Sequence, residues 1–123
     1  MPARKKILLI DDSEITLGVE EIILRRSYDI VMAKDGEEGV RKARAERPDL
    51  ILCDVVMPSI DGFETCRRLR ADPLTEAVPI ILVTSQCSEG MMVNGFESGC
   101  SDYVTKPIQP IELLEKVKNC IGD

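Results

Sequence analysis

Apolar and polar positions along the chain follow two rhythms. Unbroken apolar runs at Ile7-Leu8-Leu9-Ile10, Leu50-Ile51-Leu52-Cys53 and Ile80-Ile81-Leu82-Val83 read as parallel strands buried on both faces. Two further pieces, Ile30-Val31-Met32-Ala33 and Asp102-Tyr103-Val104-Thr105, complete a set of five strands. Between them the apolar residues recur at helical spacing. Ser13 is expected to cap the first helix, with Ile15, Val19, Ile22 and Ile23 as its apolar face. Asp35-Gly36-Glu37-Glu38 carries a capping signature for the second, which turns Val40 and Ala43 inward and ends before Pro48. The third presents Phe63, Cys66 and Leu69 and stops near Asp72-Pro73. The fifth starts at Pro110 and carries Ile111, Leu114, Val117 and Ile121.

The fourth helix, roughly Glu89 to Ser98, departs from this regularity. Gly90 and Gly95 lie inside it and Gly99 ends it, and each interior glycine costs about 1 kcal/mol relative to alanine. It is expected to be the least stable helix, held by Met91, Met92, Val93 and Phe96. Two readings stand: a merely poor helix, or one kept near melting so that it can shift between states. Five strand–helix alternations without repeat, linker or low-complexity stretch predict one α/β domain over residues 1–123. The predicted fold is a doubly wound, three-layer sandwich with right-handed crossovers.

Composition narrows the function classes. With 44% hydrophobic and 31% charged residues, the 123-residue chain can bury a core, and at 3% aromatic content that core must be aliphatic. A net charge of −6 repels phosphate backbones, so direct nucleic-acid binding is not expected, and Arg4-Lys5-Lys6 is too short to reverse that. No run has the length of a membrane span or the look of a secretory signal. Cys53, Cys66, Cys87, Cys100 and Cys120 are scattered without a C-x-x-C pair, which argues for reduced thiols and a cytoplasmic setting. Most would fill core space, and Cys87 falls in a loop.

Chemistry gathers where the strands end. The first runs into Asp11-Asp12, the third into Asp54, the fourth into Thr84-Ser85 and the fifth into Lys106-Pro107. Open α/β sheets bind ligands beyond the carboxyl ends of their strands. Three carboxylates, a hydroxyl and an ammonium are thus delivered to one sheet edge. Hard oxygen donors suit Mg²⁺, while a cation and a hydroxyl suit phosphoryl oxygens.

Taken in order, these pieces resemble the receiver domain of bacterial two-component response regulators, of which the chemotaxis regulator is the simplest member. The resemblance covers the whole chain: Asp11-Asp12, Asp54, the loop Met57-Pro58…Asp61-Gly62, Thr84-Ser85, and Gly99-Cys100-Ser101-Asp102-Tyr103-Val104-Thr105-Lys106-Pro107. Cys100 stands where alanine is common in that family. The strand-end rule was itself drawn partly from the chemotaxis regulator, so agreement with it is not independent support. The resemblance implies a flavodoxin-like sheet of order 2-1-3-4-5, with the second strand at an edge.

The resemblance also implies roles. Asp54 would be the phosphoacceptor, attacking phosphorus to form an aspartyl phosphate. Mg²⁺ would be held by Asp12, Asp54 and the Val56 backbone carbonyl, with Asp11 acting mainly through water. Lys106 and Thr84 would bind phosphoryl oxygens, and Lys106-Pro107 would be a cis bond. Thr84 and Tyr103 would form the switch, Tyr103 turning inward once Asp54 is phosphorylated. The surface of the fourth helix, fifth strand and fifth helix would then bind a downstream protein or output domain, or a second copy. With no histidine in the chain, the donor would be a sensor histidine kinase or histidine phosphotransfer protein, docking at the first helix and the site loops. Beyond its own phosphorylation and dephosphorylation no enzyme activity is implied. Val56 and Gln86 would tune loss of the phosphoryl group.

Three other readings compete. A haloacid-dehalogenase-type phosphatase wants its aspartates one residue apart, whereas Asp11 and Asp12 are adjacent, and it wants room for a cap. An FMN carrier wants a Ser/Thr/Gly-rich phosphate loop where Asp11-Asp12-Ser13-Glu14 is acidic. A pseudo-receiver that only binds partners would be expected to have lost site residues that are all present here.

Overall fold

The structure, a computed structural model, describes residues 4–85 and 88–122. Gln86 and Cys87, singled out above, lie outside the described residues. Strands β1 (Lys6–Ile10), β2 (Asp29–Ala33), β3 (Leu50–Asp54), β4 (Ile80–Thr84) and β5 (Asp102–Thr105) alternate with five helices. These are α1 (Glu14–Leu24), α2 (Gly36–Glu46), α3 (Gly62–Arg70), α4 (Glu89–Ser98) and α5 (Pro110–Ile121). The strands pair in parallel in the order β2-β1-β3-β4-β5. Fold class, strand order and the edge position of β2 agree with expectation.

Alternation along the strands divides the core in two. Leu8, Ile10, Ile51, Cys53, Ile80, Leu82 and Tyr103 face one side, where Ala43, Phe63, Cys66 and Leu69 of α2 and α3 cover them. Ile7, Leu9, Leu50, Leu52, Ile81, Val83 and Val104 face the other, under Leu17 and Leu24 of α1 and Leu113 and Val117 of α5. Both sets are shut off from water, which is why the central strands read as unbroken apolar runs.

Local signals start most helices. The Ser13 hydroxyl accepts from the Thr16 amide at 3.3 Å, Asp35 from Glu38 at 2.7 Å, and Asp61 from Glu64 at 2.8 Å. Glu38 reaches back to the Lys34 amide at 2.8 Å, one residue before the cap it was expected to close. Lys106-Pro107 is cis.

Two helices turn faces other than the expected ones, and a third differs at one position. In α1, Ile15 is 82% exposed and Ile22 61%, with Val19 exposed beside them, whereas Leu17, Glu20 and Leu24 are buried and Ile23, of the expected face, packs partly buried beside Leu17 and Leu24. At 100° per residue the two stripes lie on opposite sides of the helix. Leu17 and Leu24 prevail because the sheet face and α5 supply their packing. In α4, Met92 and Val93 point outward, Met91 packs on the core, the half-exposed Phe96 reaches it through the edge of Tyr103, and the buried positions are Gly95 and Ser98. In α5 the expected Leu114, Val117 and Ile121 pack on the core together with Leu113, and only Ile111 of the expected set is exposed.

Candidate functional site

The carboxyl ends of β1, β3 and β5 bring four side chains together. Carboxylate oxygens of Asp11, Asp12 and Asp54 lie within 4.8 Å of one another. The Lys106 Nζ sits 3.2 Å from Asp54 Oδ1 and 3.8 Å from Asp11 Oδ2. These residues come together because register aligns the strand ends: Ile10 pairs with Cys53, and Asp54 with Val83. Beyond β5, the Lys106 amide donates to the Thr84 carbonyl at 2.8 Å, fixing the lysine at the mouth of the site.

The β3–α3 loop is held as closely. The Val55 amide donates to the Val83 carbonyl at 3.1 Å, and the Gly62 amide to the Val55 carbonyl at 2.8 Å. A β-carbon on Gly62 would overlap the Asp54 carbonyl and the Val55 Cα. Glycine at this position therefore lets α3 begin directly against the backbone that carries Asp54. Ser59 turns the loop with φ of 72° and donates its hydroxyl to Glu37 at 3.3 Å. Val56 leaves its side chain exposed beside Asp54.

Electrostatics separate the carboxylates. Asp12 is exposed, while Asp11 and Asp54 are buried. Burial, reinforced by the Asp54 charge and opposed by the Ser13 amide and Lys106, raises Asp11 from 3.8 to about 6. Burial also raises Asp54, with Lys106 opposing it through charge and a hydrogen bond. Asp11 Oδ1 accepts from the Ser13 amide at 2.8 Å, but Oδ2 is buried with no hydrogen-bond partner among the described residues, since Lys106 stands too far away. An orphaned, desolvated oxygen within a three-carboxylate cluster is a vacancy in bonding that a hard divalent cation satisfies. The residues present fit such an ion.

One carboxyl was not anticipated. Glu20 of α1 is 1% exposed, and burial, followed by the charge of Asp11, raises it from 4.5 to about 8. Its signal was present in the sequence, three residues after Leu17 and four before Leu24, on the stripe that turns inward.

Thr84 ends β4 and is buried. Tyr103 does not join the carboxylates. It points to the α3–α4 side of the sheet, 4% exposed, its hydroxyl donating to the Met91 carbonyl and, at 3.4 Å, to that of Met92. Its ring meets Phe96 edge-on at 5.5 Å.

Residues 7–118 match the profile of the response regulator receiver domain. The alkaline phosphatase synthesis transcriptional regulatory protein PhoP of Bacillus subtilis is 44% identical over 115 residues, 93% of this chain and 47% of that protein. The chain thus spans about half of that relative's length. A putative response regulator from Chloroflexus aurantiacus has a crystal structure matching at TM-score 0.93 and 36% identity, over 98% of this chain and 100% of that one. The receiver domain of a sensor histidine kinase from Pseudomonas aeruginosa matches at TM-score 0.90 and 34% identity, over 98% and 100%. That domain was crystallised with a magnesium ion coordinated in its active-site cleft.

Proposed function

The chain belongs to the response regulator receiver family of two-component signalling, and from that premise we propose that Asp54 is its phosphoacceptor. The observation that carries this reading is the contact of Lys106 Nζ with Asp54 Oδ1 at 3.2 Å, inside a cluster of three carboxylates. Burial alone would favour a protonated, unreactive Asp54, and the ammonium works against that by stabilising the anion. The ionised oxygen attacks phosphorus in line, forming an O–P bond as the bond to the donor's nitrogen breaks and that nitrogen takes up a proton. Lys106 then faces the phosphoryl oxygens, and Thr84 supplies a hydroxyl to one of them. Asp11, Asp12, Asp54 and the Val56 carbonyl would hold Mg²⁺, whose chemistry here is neutralisation of charge on the phosphoryl group. Outside this self-modification the domain acts as a signalling element rather than as an enzyme.

The donor is a phosphohistidine on a sensor kinase or phosphotransfer protein. The outward stripe of Ile15, Val19 and Ile22, flanking the loop of Lys106, Pro107 and Ile108, supports docking at α1. A solvent-facing aliphatic stripe next to a reactive site is an interface in waiting. Met92, Val93 and Phe96 on α4 support a second surface, with β5 and α5, for the downstream partner or a second copy. Thr84 and Tyr103 link site to surface. Among the described residues no helix is long and apolar enough to cross a membrane, and a cytoplasmic setting suits free, buried thiols.

The deciding experiment is intact-mass spectrometry after incubation with acetyl phosphate and Mg²⁺, alongside Asp54→Asn and an EDTA control. One added phosphoryl group, lost in both controls, is expected. No addition with any donor would leave an interaction-only module.

A further inference from the structure

Glycines lie inside α1, α2 and α4, where alanine has the higher helix propensity, and they are not alike. A β-carbon on Gly18 or Gly90 would meet nothing within 4 Å among the described residues. One on Gly95 would overlap the hydroxyl and ring of Tyr103. Gly95 is also buried, on the α4 face turned toward β5, although the helix gains nothing from glycine in propensity.

We propose that Gly95 is the socket of Tyr103: its missing side chain lets the ring lie inward against α4, and so sets how much of that position is populated. The hydroxyl is held there by the carbonyls of Met91 and Met92, one turn before Gly95 along the same helix. The socket is closed behind by an anchor. Arg67 Nη1 donates to Ser98 Oγ at 3.1 Å, and Arg70 Nε to the Gly99 carbonyl at 2.9 Å, tying the end of α4 to α3. A methyl at Gly95 therefore meets a pinned helix on one side and the far end of a rotatable side chain on the other. The ring is what yields. Turned outward, it would join the exposed Met92, Val93 and Phe96, so a single α4 position decides whether that patch includes a second aromatic ring. The meaning of this for signalling rests on the receiver reading; the steric claim does not.

The test needs no phosphoryl donor, so its failure is separate from failure of the phosphoacceptor assignment. Tyr28 and Tyr103 are the two tyrosines of the chain, and both are buried. Acetylation by N-acetylimidazole, located by peptide mass, reports each phenol separately, with Tyr28 as the reference for an intact fold. Gly95→Ala is expected to acetylate Tyr103 at least tenfold faster than the parent protein, with Tyr28 still protected. Gly90→Ala, the control for added helix propensity, is expected to leave both protected. Parent-like protection of Tyr103 in Gly95→Ala, or equal exposure in Gly90→Ala, overturns the proposal. Should Gly95→Ala fail to fold, the pair Gly95→Ala with Tyr103→Leu decides. A folded pair identifies the same collision, and an unfolded pair refutes it.

Discussion

Replacing Glu20 by glutamine should make the protein more stable at alkaline pH while changing little in acid. The buried carboxyl is raised from 4.5 to about 8, first by desolvation and then by the nearby charge of Asp11. The folded state therefore holds this proton more tightly than the unfolded state does. Its contribution is fully present below about pH 4.5 and is lost as pH rises through about 8. At about 1.4 kcal/mol per tenfold change in proton affinity, the loss between pH 5 and 8 comes to roughly 3 kcal/mol. That is a large share of the roughly 5–15 kcal/mol that holds a domain together. Glutamine keeps the shape and cannot ionise. Urea unfolding followed by circular dichroism, from pH 5 to 8.5 with chelator present, reads the effect as the variant's stability minus the parent's. Asp11, raised to about 6, adds its own slope to both proteins and largely cancels. The difference should grow by about 3 kcal/mol across the range. A difference independent of pH would refute the assignment of a buried, protonated Glu20.

Three further outcomes are expected. Gly62→Ala sets a methyl against backbone atoms of Asp54 and Val55 that have no rotamer to escape through. Thermal unfolding should show a loss of about 1–3 kcal/mol, and mass spectrometry should show slower labelling by acetyl phosphate. Gly18→Ala enters open space in mid-helix and should raise stability by about 0.5–1 kcal/mol in the same melts. Ile15→Ala should slow phosphoryl transfer from a phosphohistidine protein about tenfold, the effect of losing an interface anchor of between 1 and 2 kcal/mol. Labelling by acetyl phosphate, which needs no docking face, should change less than about twofold.

The strands were legible because both faces of the central ones are covered, leaving runs such as Ile80–Val83 with no polar residue to disguise them. The strand-end residues were legible with them, since parallel pairing needs only strand order to bring Lys106 to Asp54 across half the chain. Helix faces were harder. In α1 the outward stripe carries Ile15, Val19 and Ile22, and the inward stripe is broken by Glu20. Counting apolar residues therefore selects the wrong side. Nothing local to α1 reveals that α5 and the sheet will accommodate a carboxyl. Gly95 was read as a helix weakness for a related reason: the ring that needs its space comes from β5, and only tertiary structure brings the two together.

The outward stripe of α1 also governs how concentrated solutions of this protein behave. Around neutrality a net charge of −6 keeps copies apart, but at the isoelectric point, about 4.8, that repulsion vanishes. The same acidic range is where Glu20 and Asp11 cost the fold least. Acid therefore relieves these two buried carboxyls while it lets neighbours adhere through Ile15, Val19 and Ile22. The pH that eases the buried carboxyls is the one at which it is hardest to keep molecules single.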